Sequence, residues 1–423
     1  MGVRMHLENK KVSFVYFWII WLMYALVYMT KNCYSAAMAS IVSEGILTKS
    51  QTGLITALFY GVYGPLQILG GIYADKYNPG KLIKIGLIGA GIANAIIFFN
   101  QNYYVMLIVW TFNAIIQFAL YPAVFKIVSS HLESEYRVKG VFYITLSNTM
   151  GMVLAYLMAA IVSKWVYNFA VSAGVLFMLT IVFHFACKWA EKYMVPDNQI
   201  QEDKRAKMPR QPVSEISTWS LFLKSGFFFL IAVTALRMIV SNCAQTLSAT
   251  MLMESYEKIT SSVGNVLNIF IVVSGVLGTT LVNRYVYPRM FRNEVVATLY
   301  LLAIAIPPVI IVSFVGKVPV FVVVFCLCLI SAILSGAGLV MSHCCATYAK
   351  YGKNGLASGV NNALASIAIT IQSYGLVIVV DYAGWKIAYI LLVILLLIAE
   401  LCLVLSLPLW SKLKNNKLGQ KGN

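Results

Sequence analysis

Two cations sit where a cation is costly. Lys31 and Arg237 each lie about 19 residues into a long apolar run, at 12–36 and 218–248. A charge that deep in a spanning helix costs at least about 2.5–3.5 kcal/mol and faces a cavity or a partner. No carboxylate stands at a depth that would neutralise either one: Asp75 and Asp381 fall at run ends, and Glu400 is the only other acid well inside a run. Two uncompensated cations at matching places in two halves describe a site for an anion. Tyr24, Tyr28 and Lys31 follow i, i+4, i+7 and share one face of the first helix. Thr234, Arg237, Ser241, Gln245 and Ser248 make a second stripe, and Asn113, Gln117 and Tyr121 a third. Ser331, Ser335 and Ser342 make a fourth, with His343 beside it as a proton or hydrogen-bond site. Asn362, Ser366, Thr370 and Ser373 line the eleventh run. Any one stripe could bond only its own helix backbone; together they describe a wet bundle centre. Lys126, one turn from the end of the fourth run, reads as an inner-gate or lipid-facing cation.

The elements that must position these residues follow from composition. The chain has 423 residues, 60% hydrophobic and 11% charged, with a mean hydropathy of +0.80. Soluble domains carry about 25% charged residues, so the bilayer is the solvent. The net charge of +17 does not indicate nucleic-acid binding, because the cations sit in short loops between apolar runs. The eight cysteines form no CxxC pair and no ligand spacing with the histidines, so neither metal, cofactor nor disulfide is expected. Paired carboxylates, a nucleophile with a placed base and phosphate-cradling glycine loops are missing, which argues against an enzyme and against ATP-driven pumping.

Charge and Pro/Gly punctuation cut the chain into twelve apolar runs of spanning length, split six and six by a charged segment. The expected fold is all-α and integral to the membrane: an N-terminal bundle at 1–187, a linker at 188–217 and a C-terminal bundle at 218–423. With the N-terminus inside, the inner segments hold 23 Lys and Arg and the outer loops hold 5. That asymmetry predicts two cytoplasmic termini. Gly71-Ile-Tyr-Ala-Asp75-Lys76 after the second run and Gly278-Thr-Thr-Leu-Val-Asn283-Arg284 after the eighth each lead into a proline turn with further cations. Such weak internal symmetry marks transporter halves.

These residues resemble the major facilitator superfamily, and within it the organophosphate:phosphate antiporter branch. The resemblance runs from about Tyr24 to Trp385. It is carried by Tyr24-x3-Tyr28-x2-Lys31, Tyr63-Gly64, Ala74-Asp75-Lys76-Tyr77-Asn78-Pro79, Gln117-x3-Tyr121-Pro122-x3-Lys126, Leu236-Arg237, Gly355-x3-Gly359 and Asp381-Tyr-Ala-Gly384-Trp385. The resemblance implies alternating access, with a small organic anion held by Lys31 and Arg237. Tyr24, Tyr28, Tyr63, Gln117, Tyr121 and Asn148 would line its organic part. Asp75 and Lys76 would belong to a cytoplasmic gate between the second and eleventh runs. Arg237 matches one of the branch's two phosphate-holding arginines. Lys31 replaces the other, keeping charge but losing the bidentate fork. Asn148 stands where the branch has a histidine, and Asn242 where a member has an acid. A carboxylate or sugar acid would therefore fit as well as a phosphorylated metabolite. The absence of carboxylates at depth favours anion exchange over proton symport, and a transporter-like sensor is the rival from another class. The expected state is a monomer in the inner membrane, in contact with lipid.

Overall fold

A computed structural model describes residues 5–162, 164–196, 217–290, 293–351 and 353–414. It divides into two compact units, Met1–Arg210 and Gln211–Asn423. All twelve apolar runs are carried by helices. Among the described residues, nine helical segments are long and apolar enough to cross a membrane; one of these, Leu356–Lys414, holds the last two runs. Lys49–Lys76 and Ser134–Ile161 are further helices of 28 residues each.

In the first unit, β1 (Met5–Leu7) precedes α1 (Lys10–Ser43), α2 (Lys49–Lys76), α3 (Pro79–Phe99), α4 (Tyr103–Gln117), α5 (Leu120–Ser130), α6 (Ser134–Ile161) and α7 (Val166–Glu191). The starts are written in the sequence. Asn9, Asn78 and Asn102 cap their helices through side-chain oxygens, and Thr48 with Gln51 closes a capping box. The segment read as a linker from 188 is helical to Glu191. It then forms β2 (Met194–Pro196), antiparallel to β1 with Met5 opposite Pro196. Residues 197–216 of that segment lie outside the described residues.

The fourth run is not one helix. It breaks between Gln117 and Leu120. Pro122 has no N–H to offer the Phe118 carbonyl four residues back, and its ring crowds that carbonyl. Gly70 of α2 packs against the same oxygen, where a Cβ would sit 2.5 Å away. Gly151 of α6 likewise permits the close crossing with α1, since a Cβ there would lie 2.3 Å from Tyr28 Cβ. Small residues at helix crossings are what packing in lipid demands, because apolar burial alone drives nothing there.

The second unit runs through α8 (Thr218–Lys224), α9 (Phe227–Thr246), α10 (Ser248–Ser255), α11 (Ser261–Leu281), a π turn at Val282–Val286, α12 (Tyr287–Arg289), α13 (Glu294–Val312), α14 (Val320–Thr347), α15 (Asn354–Ile371), a π turn at Gln372–Leu376 and α16 (Val377–Lys414). Gly278 of α11 meets the backbone of α14, where a Cβ would lie 2.2 Å from the Ala332 oxygen. Gly384, at φ 77°, makes the bend that separates the last two runs. One detail repeats between the units. Trp165 donates to Glu44 at 3.1 Å in the first, and Trp385 donates to Glu254 at 2.8 Å in the second. Each pair ties the end of a half's opening helical run to the turn before its closing helix.

Candidate functional site

Lys31 is 8% exposed, in the buried length of α1. Its ammonium lies over the Tyr63 ring at 3.6 Å from the centroid, with Tyr28, Phe59 and Tyr60 at 5.4, 5.4 and 5.5 Å. Among the described residues no carboxylate pairs with it. A desolvated cation over an aromatic face gains about 2 kcal/mol, so the rings offset much of the burial cost without cancelling the charge. Tyr24 donates to the Tyr28 hydroxyl at 3.4 Å and stacks on Tyr121 at 6.0 Å. Gln117 donates to Asn113 at 2.7 Å. Tyr24, Tyr28, Lys31, Tyr63, Gln117 and Tyr121 line one cavity of about 10 Å³, room for about one water. The break between α4 and α5 brings Gln117 and Tyr121 to the same cavity. Phe59 and Tyr60 were not anticipated. The signal was there as Phe59-Tyr60-x-x-Tyr63, three aromatics within five positions of one run.

Arg237 is 7% exposed, on α9. Its guanidinium lies across Gly338 of α14, where a Cβ would come within 2.9 Å of Cζ. Nη1 donates to the Leu334 carbonyl at 2.7 Å, Nη2 reaches only the Met238 sulfur at 3.9 Å, and Nε has no partner. A guanidinium carries five N–H donors. This one is buried and mostly unspent, and among the described residues it has no carboxylate partner. Around it the second unit is polar. Gln245 donates to Ser331 at 3.1 Å and to Ser335 at 3.3 Å, Asn268 donates to the Gln245 carbonyl at 2.8 Å, and Asn242 donates to Gln372. Gln372, in a π turn, and the Gly338 gap were not read from the sequence. Ser366 and Thr370 of the eleventh-run stripe bond their own helix backbone instead.

Two helical units, each with a buried cation, have a counterpart among known proteins. The profile of the Major Facilitator Superfamily matches residues 20–373. The chain belongs to the major facilitator superfamily. Solved members share its fold. A bacterial homolog of the human lysosomal transporter Spinster, in an inward-facing and occupied conformation, superposes with a TM-score of 0.75 over 96% of this chain and 99% of that one, at 14% identity. A D-xylose–proton symporter gives a TM-score of 0.70 over 93% and 97%, at 12% identity. Closer in sequence are short stretches of two relatives. The membrane sensor protein UhpC of Salmonella typhimurium is 39% identical over 98 residues, which is 23% of this chain and 22% of the sensor. A probable hexose phosphate transport protein of Chlamydia trachomatis is 28% identical over 97 residues, 23% of this chain and 21% of that protein. The chain thus matches about a fifth of these relatives' length. It is an integral membrane transporter-fold protein and not an enzyme.

The other anticipated residues of this superfamily member fall elsewhere. Asn148, on α6, is exposed and does not line the Lys31 cavity. His343 packs its ring on Tyr287 at 5.0 Å, in the corner after α11, and its buried Nδ1 has no partner. Lys126 of α5 donates to the Ala74 carbonyl at the end of α2, where a cation complements the helix terminus. Lys76 is exposed, 5.6 Å from the Tyr77 ring centroid. Asp75 is the next-to-last residue of α2, and its side chain lies outside what the structure describes.

Proposed function

We propose that this protein carries a small organic anion across the inner membrane by alternating access, most simply by anion exchange. Lys31 and Arg237 would anchor the negative charge. Tyr24, Tyr28, Tyr63, Gln117 and Tyr121 would face the organic part; Asn148 and His343, which lie outside the Lys31 cavity, would meet the substrate only along its path. Asp75, Lys76 and Lys126 would form the gate at the end of the first unit, and both termini would be cytoplasmic. The observation that carries this reading is the pair of buried cations, one in each unit, without carboxylate partners among the described residues. A cation kept in a low-dielectric interior without a partner is a standing cost, which a bound anion removes. The relatives named for hexose phosphate transport support a phosphorylated metabolite as the first substrate class to try.

Purified protein in liposomes preloaded with phosphate supplies the test. External labelled phosphate or hexose phosphate should exchange with the internal pool, and Arg237→Ala should abolish exchange while the protein still inserts. Uptake that survives Arg237→Ala contradicts the anion site. A second reading is a sensor that binds the anion without carrying it, favoured by the 39% stretch shared with a membrane sensor protein. Saturable binding with no exchange in the same liposomes identifies it.

A further inference from the structure

A second concave basic site lies in the first unit, away from the Lys31 cavity. A cavity of about 1020 Å³ is lined by Lys76, Lys81, Lys84, Lys126 and His131, and the one carboxylate among its described lining residues is Glu191. Among the described lining residues four lysines stand against one acid, which makes this concave surface basic. Its walls are held in place. Lys126 is tied to Ala74, Lys84 Nζ sits 3.3 Å from His184 Nδ1, and the Leu7 amide of the β1–β2 pair donates to the His131 carbonyl at 2.8 Å. The start of α3, capped by Asn78, opens into the same cavity.

The corresponding corner of the second unit carries a buried acid of its own. Asn293 caps α13 as Asn78 caps α3, but α13 begins with Glu294. That carboxylate is 4% exposed and bonded on three sides: to Lys414 at 2.8 Å, to the Tyr287 hydroxyl at 2.9 Å and to the Trp410 indole at 3.2 Å. In the first unit the helix starts Pro79-Gly80-Lys81, with no acid in its first turn, and open volume with lysines stands where the second unit has a buried carboxylate.

We propose that this cavity binds a phosphate group from outside the chain, either free phosphate or the phosphodiester of an anionic lipid headgroup. Several ammonium groups around one cavity suit a tetrahedral dianion or a phosphodiester. None of these residues lines the Lys31 cavity or surrounds Arg237; Lys76 and Lys126 are shared with the proposed gate, and the variant below leaves both unchanged.

The test uses full-length protein in neutral detergent, with the thermal-denaturation midpoint followed against two probes: inorganic phosphate, and short-chain phosphatidylglycerol set against phosphatidylcholine. Lys81→Gln/Lys84→Gln removes exposed or half-exposed cations of the cavity, and Arg237→Ala removes the other anion anchor. Wild type and Arg237→Ala should both be stabilised by at least one probe, and the double variant should bind that probe roughly tenfold more weakly. Stabilisation by phosphatidylglycerol alone assigns the site to a lipid headgroup; stabilisation by inorganic phosphate assigns it to the free ion. No stabilisation by either probe overturns the proposal. So does stabilisation that the double variant keeps, or that only Arg237→Ala abolishes.

Discussion

Arg237 and Lys31 are paid for in stability, and that makes a prediction at the scale of single residues. Arg237 has an orphaned Nε and a single strong hydrogen bond, so Arg237→Met should leave the fold as stable or raise it by roughly 1 kcal/mol while exchange is lost. Thermal denaturation beside proteoliposome exchange checks both halves; a large loss of stability would make Arg237 a structural residue. Gly338 offers a second handle. A Cβ there would press on Cζ of Arg237, so Gly338→Ala should lower exchange about tenfold or more with the protein intact. Wild-type exchange in that variant would show that the guanidinium's position is not used. Both cations were legible in the sequence because a charge inside an apolar run stands out energetically. Phe59 and Tyr60 were not, since an aromatic side chain in such a run suits core, lipid and cavity equally. His343 follows Ser342 in sequence, and one residue along a helix turns the side chain about 100° away, here onto Tyr287.

At the scale of elements, the helices were legible from apolar length and Asn or Thr caps, and their interruptions were not. The break after Gln117 arises at the carbonyl four residues before Pro122, so its place is displaced from its cause. Strands of three residues, such as Met5–Leu7 and Met194–Pro196, are too short to show a period of two. Crossings depend on single glycines that sequence alone does not rank. Gly278→Val should destabilise the protein by about 2–3 kcal/mol, because its side chain meets the α14 backbone and cannot yield. Gly71→Ala has open space in front of it and should be neutral or stabilising by about 0.5–1 kcal/mol. Equal effects of the two substitutions, read from chemical denaturation in mild detergent, would refute the close α11–α14 crossing.

For the whole molecule, two units with corresponding parts follow from the repeated turn after the second and eighth runs, and the Glu44–Trp165 and Glu254–Trp385 bonds repeat the correspondence in three dimensions. The Lys and Arg asymmetry of 23 to 5 predicts a cytoplasmic C-terminus. A C-terminal green fluorescent protein fusion should fluoresce and an alkaline phosphatase fusion should be inactive; the reverse pattern would invert the orientation. The central claim is that one buried cation in each unit recognises the negative charge of the substrate. Calorimetric titration of purified wild type, Lys31→Gln and Arg237→Gln with a hexose phosphate and with the uncharged hexose tests it most directly. Wild type should bind the charged sugar and not the neutral one, and each substitution should weaken binding at least tenfold, since a charge-assisted contact contributes about 1.5–3 kcal/mol. Equal binding of charged and neutral sugars by all three proteins would contradict it.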